Sequence, residues 1–424
     1  MPWRVANRFI TPIFGIGATE NVMMQIEALM AVAGALLLVS VFANRISTFL
    51  GIPGLLVFIA IGMLAGSDGI GQIQFYDAKI TNNIGTIALA FILFAGGLDM
   101  RWKDVRTVLF RGSLLATLGV VLTALFLFVS AYGILRFDLA VALLLSVIVS
   151  STDAPAVFMI MRTQKTRLRG SLRPLLEFES GSNDPMAVLL SLGALTFLQN
   201  SAFDAAALLK MFSLQLVLGL VLGFVLGKLA LVLLQKVCIC YFGLYTVFGV
   251  GLVLLLFGVV QLLGGNGFLA VYVSGIVVGN SPFIYRRSLI RFHDSLSWIM
   301  QVGMFLLLGL LVNPHELLSV MPAGLAAAFF LIFTARPAAV FICLYRSGLG
   351  FREKLFISWA GLKGAVPIIL ATYPLMIGFP DSQFLFNLIF FLVISSVLLQ
   401  GKTLAWLAVR LHLNHQQPQN DGRE

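Results

Sequence analysis

The sequence predicts an all-α polytopic membrane protein with about thirteen transmembrane helices, two of them broken and running in opposite directions. Three observations support this fold class. Of the 424 residues, 59% are hydrophobic and only 11% are charged, whereas about a quarter of the residues in a soluble domain are charged. The apolar residues form segments long enough to cross a bilayer. Two of these segments are interrupted by a short polar motif that contains proline.

Each transmembrane helix needs about 20 mostly apolar residues. Thirteen stretches meet this requirement and are numbered here as spans 1–13. They cover residues 26–44, 49–66, 83–98, 112–134, 139–160, 174–198, 211–235, 243–263, 266–280, 295–312, 317–344, 355–379 and 383–408. We therefore expect an N-terminal segment of unassigned role (1–24), a transmembrane domain (25–408) and a short cytoplasmic tail (409–424).

Basic residues cluster in the loops that follow odd-numbered spans. They are Arg101, Lys103, Arg106 and Arg111 after span 3, Arg162, Lys165, Arg167, Arg169 and Arg173 after span 5, Arg286, Arg287 and Arg291 after span 9, and Arg346, Arg352 and Lys354 after span 11. Loops after even-numbered spans hold only Lys79, Arg136 and Lys210. Because Lys and Arg accumulate in cytoplasmic loops, the N-terminus is expected outside and the C-terminus in the cytoplasm.

Several function classes find no support in the sequence. The net charge of +10 reflects these cytoplasmic loops rather than nucleic-acid binding. Three cysteines and four scattered histidines predict neither a disulfide framework nor a metal cluster. The motif LLQGKT ends like a phosphate-binding loop, but Ser396 stands where the first glycine is needed. We expect neither an enzyme nor a bound cofactor.

Five ionisable residues fall inside predicted spans, at a cost of about 2.5–3.5 kcal/mol each on insertion scales. They are Asp153, Glu179, Asp184, Arg336 and Lys363. A buried salt-bridge network that only fixes helix packing is one explanation. Asp153 and Asp184 favour a functional role instead, because there are more acids than one bridge needs and each lies close to a proline.

The prolines predict carbonyl groups without a helical partner inside the spans. Proline lacks an N–H, so the carbonyl four residues earlier loses its helical partner. Pro155, Pro185 and Pro367 thereby free the carbonyls of Ser151, Gly181 and Lys363. Freed carbonyls are tolerated at membrane depth only against protein or a water-filled cavity. Together with a carboxylate, they supply the oxygen ligands that a monovalent cation needs as it loses water.

Span 5 is interrupted at STDAP and span 12 at GLKGAVP. The two spans are seven apart, so they cross the membrane in opposite directions. Two broken helices in opposite directions are typical of inverted-repeat transporters, in which the breaks cross near the midplane. Asp153 and Lys363 lie at the two breaks, where their charges oppose the partial charges of the half-helix ends.

The segment ESGSNDPMAV in span 6 divides its polar residues between two helix faces. At about 100° per residue, Ser180 and Asp184 share one face and Glu179 and Asn183 share another. We expect Asp184 and Ser180 to face Asp153 in an ion site. Glu179 is about 140° away from Asp184, and we expect it to pair with a buried cation, either Arg336 or Lys363.

At these motifs the sequence resembles the NhaP-type monovalent cation/proton antiporters, over residues 26–408. The resemblance is carried by Ser151-Thr152-Asp153 in span 5 and by Phe178-Glu179-Ser180-x-x-Asn183-Asp184 in span 6. The segment ESGSNDPMAV is most similar to the corresponding segment of the potassium/proton subgroup, which acts in potassium extrusion and cell-volume control. Two departures stand out: Lys363 replaces a frequent arginine in GLKGAV, and Ala95 replaces a frequent acid before Gly-Gly-Leu.

The resemblance implies a thirteen-helix fold with a six-helix core domain and a dimerisation domain. It implies that Asp184 and Asp153 bind the monovalent cation, assisted by Ser180 and Thr152. It also implies that Glu179 pairs with a basic residue of a late helix, and that the pair Asn183-Asp184 goes with electroneutral exchange. The expected partners are the cation, the proton, the bilayer of a bacterial inner membrane and a second copy of the chain.

Three function classes stay open at this point. The first is an antiporter of K⁺ or Na⁺ against H⁺, with K⁺ favoured. The second is an ion channel, and the third is a membrane scaffold or sensor that transports nothing. A glycine stripe in span 7, at positions 219, 223 and 227, predicts either close packing within the chain or a dimer seam.

Overall fold

The computed structural model describes residues 21–50, 53–163, 168–199, 205–236 and 241–414. Within these ranges the secondary structure is helical, apart from two isolated bridge pairs. The all-α prediction is therefore confirmed. Residues 1–20 and 415–424, which hold most of the predicted N-terminal segment and tail, lie outside the described residues.

The described residues form seventeen α-helices. In chain order, α1–α17 are Asn21–Leu50, Gly54–Ala65, Ala78–Asp99, Trp102–Leu114, Val120–Val129, Leu139–Ile148, Ala154–Thr163, Leu172–Gln199, Ala205–Lys236, Phe242–Leu262, Gly267–Gly279, Arg286–Leu311, Pro314–Phe330, Arg336–Cys343, Phe351–Trp359, Ala365–Met376 and Ser382–Arg410. Three π-helical turns, Leu115–Gly119, Ser130–Ile134 and Leu331–Ala335, continue neighbouring helices.

Each predicted span contains one helix or a pair of shorter ones. Span 5 consists of the half-helices α6 and α7, and span 12 consists of α15 and α16, so the two predicted breaks are confirmed. Eight described helical segments are long and apolar enough to cross a membrane, and four shorter apolar helices accompany them. The protein is thus a multi-span membrane protein, while the number of thirteen crossings stays a prediction.

Contacts between loops divide the molecule into two ends. At one end the loops after odd-numbered spans meet: the Asn280 amide donates to the Met100 carbonyl at 2.7 Å, and Leu168 bridges to Asn414. We call this the basic end, because the clustered Arg and Lys residues lie there. At the other end, the loops after even-numbered spans meet. Ser67 there donates to the Asn313 side chain at 2.8 Å.

The helices pack as two bundles. The first bundle contains α1–α3 and α9–α12, and the second contains α4–α8 and α13–α17. Between them, α3 packs on α16 and α11 packs on α8. One buried hydrogen bond across this boundary joins the Asn82 amide to the Thr372 hydroxyl at 2.9 Å. Both residues lie toward the end opposite the basic end.

Two glycine contacts fasten the first bundle. A Cβ atom at Gly62 of α2 would lie 2.9 Å from Gly309 Cα of α12, and one at Gly97 of α3 would lie 3.1 Å from Gly275 Cα of α11. Glycine is required at these positions because the backbones approach within direct contact. If the two halves of the chain are offset by seven spans, as the broken spans 5 and 12 are, span 2 corresponds to span 9 and span 10 corresponds to span 3. The two contacts are therefore related by the inverted repeat.

The glycine stripe of α9 packs within the chain. Gly219, Gly223 and Gly227 lie against the backbone or side chains of Leu269, Ala270 and Ser274, all in α11. Of the two predicted uses of this stripe, the structure therefore shows packing between helices of one chain.

The glycine contact between α3 and α11 leads to a stability prediction. Gly97→Ala would drive its methyl group into the Tyr272 carbonyl oxygen, and overpacking of this kind costs about 1–3 kcal/mol. We expect a lower melting temperature in detergent. Gly96→Ala is the matched control, because a Cβ atom at the neighbouring Gly96 meets no atom within 4 Å. Equal melting temperatures for the two variants would contradict the contact.

Candidate functional site

The two helix breaks touch each other. The N–H of Asp153, in the break of span 5, donates to the carbonyl of Leu362, in the break of span 12, at 2.8 Å. This bond satisfies two backbone groups that the interrupted helices leave without helical partners. The predicted crossing of the broken helices is therefore present, and it lies beside the predicted site residues.

Lys363 closes the end of half-helix α6. Its ammonium group donates to the carbonyl of Ser151 at 2.7 Å and lies 3.4 Å from that of Ser150. The lysine is 1% exposed. A helix C-terminus carries a partial negative charge, so the ammonium is stabilised there. The Ser151 carbonyl is the one that Pro155 was predicted to free, and Lys363 is its partner.

Asp153 begins half-helix α7. One carboxylate oxygen, Oδ1, accepts from the N–H of Ala156 at 3.0 Å, as helix N-cap residues do. The other oxygen, Oδ2, lies against the backbone of Gly364, where any Cβ atom would overlap it. Glycine is therefore required at position 364. Asp153 keeps part of its surface accessible, unlike the other charged residues of the site.

Asp184 approaches this crossing from the unbroken helix α8. It is 7% exposed, and its carboxylate lies within electrostatic reach of both Asp153 and Lys363. Two carboxylates and one ammonium carry one net negative charge when all three are ionised. The cluster is therefore short of one positive charge, which a monovalent cation or a proton can supply.

Thr152 joins the break of span 5 to α8. Its carbonyl accepts from the Ser180 hydroxyl at 2.9 Å, and its hydroxyl accepts from the Asn183 amide at 2.6 Å. Helix-face geometry grouped Asn183 with Glu179, but the Asn183 side chain reaches the same residue as Ser180. These bonds hold the oxygen atoms of Thr152 and Ser180 beside the two aspartates.

Glu179 pairs with Arg336. The carboxylate Oε1 accepts from Nη2 of the guanidinium at 2.5 Å, and both side chains are almost completely buried. Of the two predicted partners the structure selects Arg336, since Lys363 is engaged by the carbonyls of α6. The guanidinium lies against Gly361, in the break of span 12. The π-helical turn Leu331–Ala335 ends directly before Arg336. The prediction had not anticipated this turn.

Sequence reasoning missed one group of supporting residues in α17. Ser396 accepts from the backbone N–H of Lys363 at 3.1 Å and donates to Gln400 at 2.5 Å. The Gln400 amide in turn donates to the carbonyl of Trp359 at 2.9 Å. Two polar residues four positions apart in an apolar span were a usable signal. Both fall in or beside LLQGKT, which was considered only as a phosphate-binding loop.

Comparison with known proteins agrees with this geometry. Residues 34–410 match the family described as "Sodium/hydrogen exchanger, transmembrane". The chain belongs to the sodium/hydrogen exchanger family. The family is one of cation/proton antiporters, so the resemblance noted from the motifs of spans 5 and 6 is confirmed.

Two proteins similar to the chain are named K(+)/H(+) antiporters. One, named NhaP, from Alkalimonas amylolytica, is 41% identical over 392 residues, covering 92% of this chain and 68% of the relative. The other, named NhaP2, from Shewanella oneidensis, is 41% identical over 383 residues, covering 88% of this chain and 66% of the relative. The chain thus spans about two thirds of their length.

A more distant member is the Na(+)/H(+) antiporter 1 of Methanocaldococcus jannaschii, which is 29% identical over 371 residues, covering 81% of this chain and 83% of the relative. The solved structure of the sodium proton antiporter MjNhaP1 from the same organism matches with a TM-score of 0.77 at 24% identity, covering 91% of this chain and 99% of that one. This match confirms the fold.

The Glu179–Arg336 pair leads to a stability prediction. Glu179→Gln leaves a buried guanidinium without its counter-charge, and breaking a buried pair in this way costs about 3–5 kcal/mol. We expect a strongly lowered melting temperature in detergent. Glu177→Gln, which removes a partner of the exposed Arg173, is the control and should change stability by at most about 1 kcal/mol. Similar melting temperatures for both variants would contradict the assigned pair.

Proposed function

We propose that the chain is a secondary antiporter that exchanges a monovalent cation for H⁺, with K⁺ as the favoured cation. The observation that carries this proposal is the cluster of Asp184, Asp153 and Lys363 at the crossing of the two breaks. The cluster carries one net negative charge in a nearly dry environment. Such a charge is costly at membrane depth, so the cluster takes up whichever single positive charge is available.

The mechanism follows from competition for the same oxygen atoms. The carboxylates of Asp184 and Asp153 bind the cation, and the hydroxyl of Ser180 and the carbonyl of Thr152 complete its oxygen shell. A proton on the carboxylates removes the charge that holds the cation. One cation and one proton each neutralise the cluster, so exchange of one for the other moves no net charge. The proposed exchange is therefore electroneutral.

Transport also requires that the site face each side of the membrane in turn. The boundary between the two bundles passes along α8, which carries Asp184, so a displacement of one bundle against the other changes which end reaches the site. In this proposal the Glu179–Arg336 pair and Asn183 keep the second bundle intact as it moves. The basic end faces the cytoplasm of a bacterial cell, and the chain forms a homodimer in the inner membrane.

Preference for K⁺ rests on the two relatives named K(+)/H(+) antiporters, which are more similar to the chain than the one named Na(+)/H(+) antiporter. Na⁺/H⁺ exchange is the alternative, since carboxylate and carbonyl oxygens bind both ions. Purified protein in proteoliposomes with imposed K⁺ or Na⁺ gradients separates these functions. Proton movement tied to K⁺ supports the proposal. Current without coupled proton movement would instead identify a channel.

Asp184 provides the sharpest test of the site. Asp184→Asn removes the carboxylate that both ions need, so we expect cation-driven proton movement in vesicles to fall by more than about 90%, with folding retained. Asp381→Asn is the control, because Asp381 is exposed in a loop with left-handed backbone geometry that asparagine also adopts. More than half of the activity remaining in Asp184→Asn would show that the site is misplaced.

Competition at one site also predicts a pH dependence. As pH falls, protons occupy the carboxylates and the cation must displace them. The half-saturating cation concentration should therefore rise by up to about tenfold per pH unit for one competing proton, while the maximum rate changes little. Transport rates measured against cation concentration at several pH values test this. A half-saturating concentration that is constant over two pH units would mean separate sites for proton and cation.

A further inference from the structure

A cavity of about 80 Å³ lies at the end of the molecule opposite the basic end. It is bordered by α8 of the second bundle and by α9, α10 and α11 of the first bundle, and it is open on one side. Three amide side chains line it: Gln215, Gln261 and Asn266. The cavity has room for several water molecules. The Gln261 oxygen accepts from the N–H of Gly267 at 3.1 Å. An amide oxygen has a second lone pair, so these groups can contact a passing cation without the charge of a carboxylate.

The cavity lies in line with Asp184. Val188 and Leu192 line it from α8. They follow Asp184 by four and eight residues, so they continue its helix face at about 6 Å and 12 Å along the axis. Leu192 is partly exposed and Val188 is buried, which places Val188 at the closed inner end. A route from the cavity to Asp184 is therefore about one helical turn long.

Asn266 closes this short route. Its amide nitrogen donates to the carbonyl of Pro185, the residue after Asp184, at 3.2 Å. Its amide oxygen is held by the N–H of Leu269 at 3.0 Å, because Asn266 caps the start of α11. The positive end of the amide thus faces α8, where it opposes a cation. A cation can pass only after the bond to Pro185 has opened.

The exposure of the residues around Asp184 also indicates that the site is closed on the side of the cavity. On the side toward the basic end, residues 178–180 are buried but Gly181 and Ser182 are partly exposed, whereas on the cavity side residues 185–189 are all buried. The site is therefore sealed on the side of the cavity. Because Asn266 belongs to the first bundle and Pro185 to the second, a displacement between the bundles is the motion that would break their bond.

We propose that this cavity is the outer antechamber of the cation route and that Asn266 is the residue that closes it in the present conformation. The inference deepens the proposed function and rests on it, and on the orientation given by the basic loops. It assigns Asn266, Gln215 and Gln261 to the path taken by the ion rather than to helix packing alone.

Thiol labelling from the outside tests the proposal without any ion gradient. Cys238, Cys240 and Cys343 are first replaced by alanine, and single cysteines are placed at Leu192, Val188 or Leu189. Right-side-out vesicles are then treated with a membrane-impermeant methanethiosulfonate. Leu189 is buried on a different face of α8, about 140° from Asp184, and it is the control. Each cysteine is combined with native Asn266 or with Asn266→Ser, which keeps a capping oxygen but loses the amide donor.

We expect Leu192→Cys to react in both backgrounds and Leu189→Cys in neither. Val188→Cys should react about five- to tenfold faster with Asn266→Ser, the shift that loss of one buried hydrogen bond produces in an opening equilibrium. Melting temperatures in detergent verify that Asn266→Ser folds. An unchanged rate at Val188→Cys would overturn the role of Asn266, and labelling of Leu192→Cys only from the cytoplasmic side would overturn the outer location. Absence of coupled cation and proton movement in proteoliposomes of the native chain, with the expected labelling pattern, would count against the proposed function and leave the closing role of Asn266 in place.

Discussion

The rest of the structure depends on one constraint. Backbone groups that have no helical partner lie in the middle of an apolar molecule, and each of them needs a hydrogen-bond partner. Each broken helix leaves carbonyl and N–H groups that lipid cannot satisfy. The two breaks satisfy part of this requirement in each other, through Asp153 and Leu362. Lys363, Ser180 and Asp153 satisfy further groups with their side chains. The residues that make the breaks tolerable are thus the same residues that form the candidate site.

The buried charges separate into two groups with different consequences. Glu179 and Arg336 neutralise each other in a direct pair, so that pair needs no charge from outside the protein. Asp153, Asp184 and Lys363 do not balance when ionised, because two carboxylates face one ammonium, and that ammonium is directed at a carbonyl. An imbalance of one charge is costly in a place that water hardly reaches, and the proposed cation or proton would remove that cost.

Much of the fold and part of the site could be predicted because the signals are local. Apolar length marks the spans, and the prolines at 155 and 367 mark spans whose helices are interrupted. The basic residue that pairs with Glu179 could not be predicted in the same way. Glu179 pairs with Arg336 while Lys363 is held by carbonyls at the end of α6, and these contacts join segments that are far apart in the sequence. Pro185, by contrast, leaves α8 continuous, so proline alone did not predict a break.

The paired glycine seams carry a consequence for the origin of the chain. Gly62 of span 2 packs against Gly309 of span 10, and Gly275 of span 9 packs against Gly97 of span 3. Both contacts, which are the two glycine seams, join one half of the molecule to the other half. A half-length ancestral protein inserted in both orientations would close both seams with a single pair of segments. Joining two copies of such a segment would give the pair of contacts seen here. The uneven arginine and lysine content of the loops then fixes one orientation for each half.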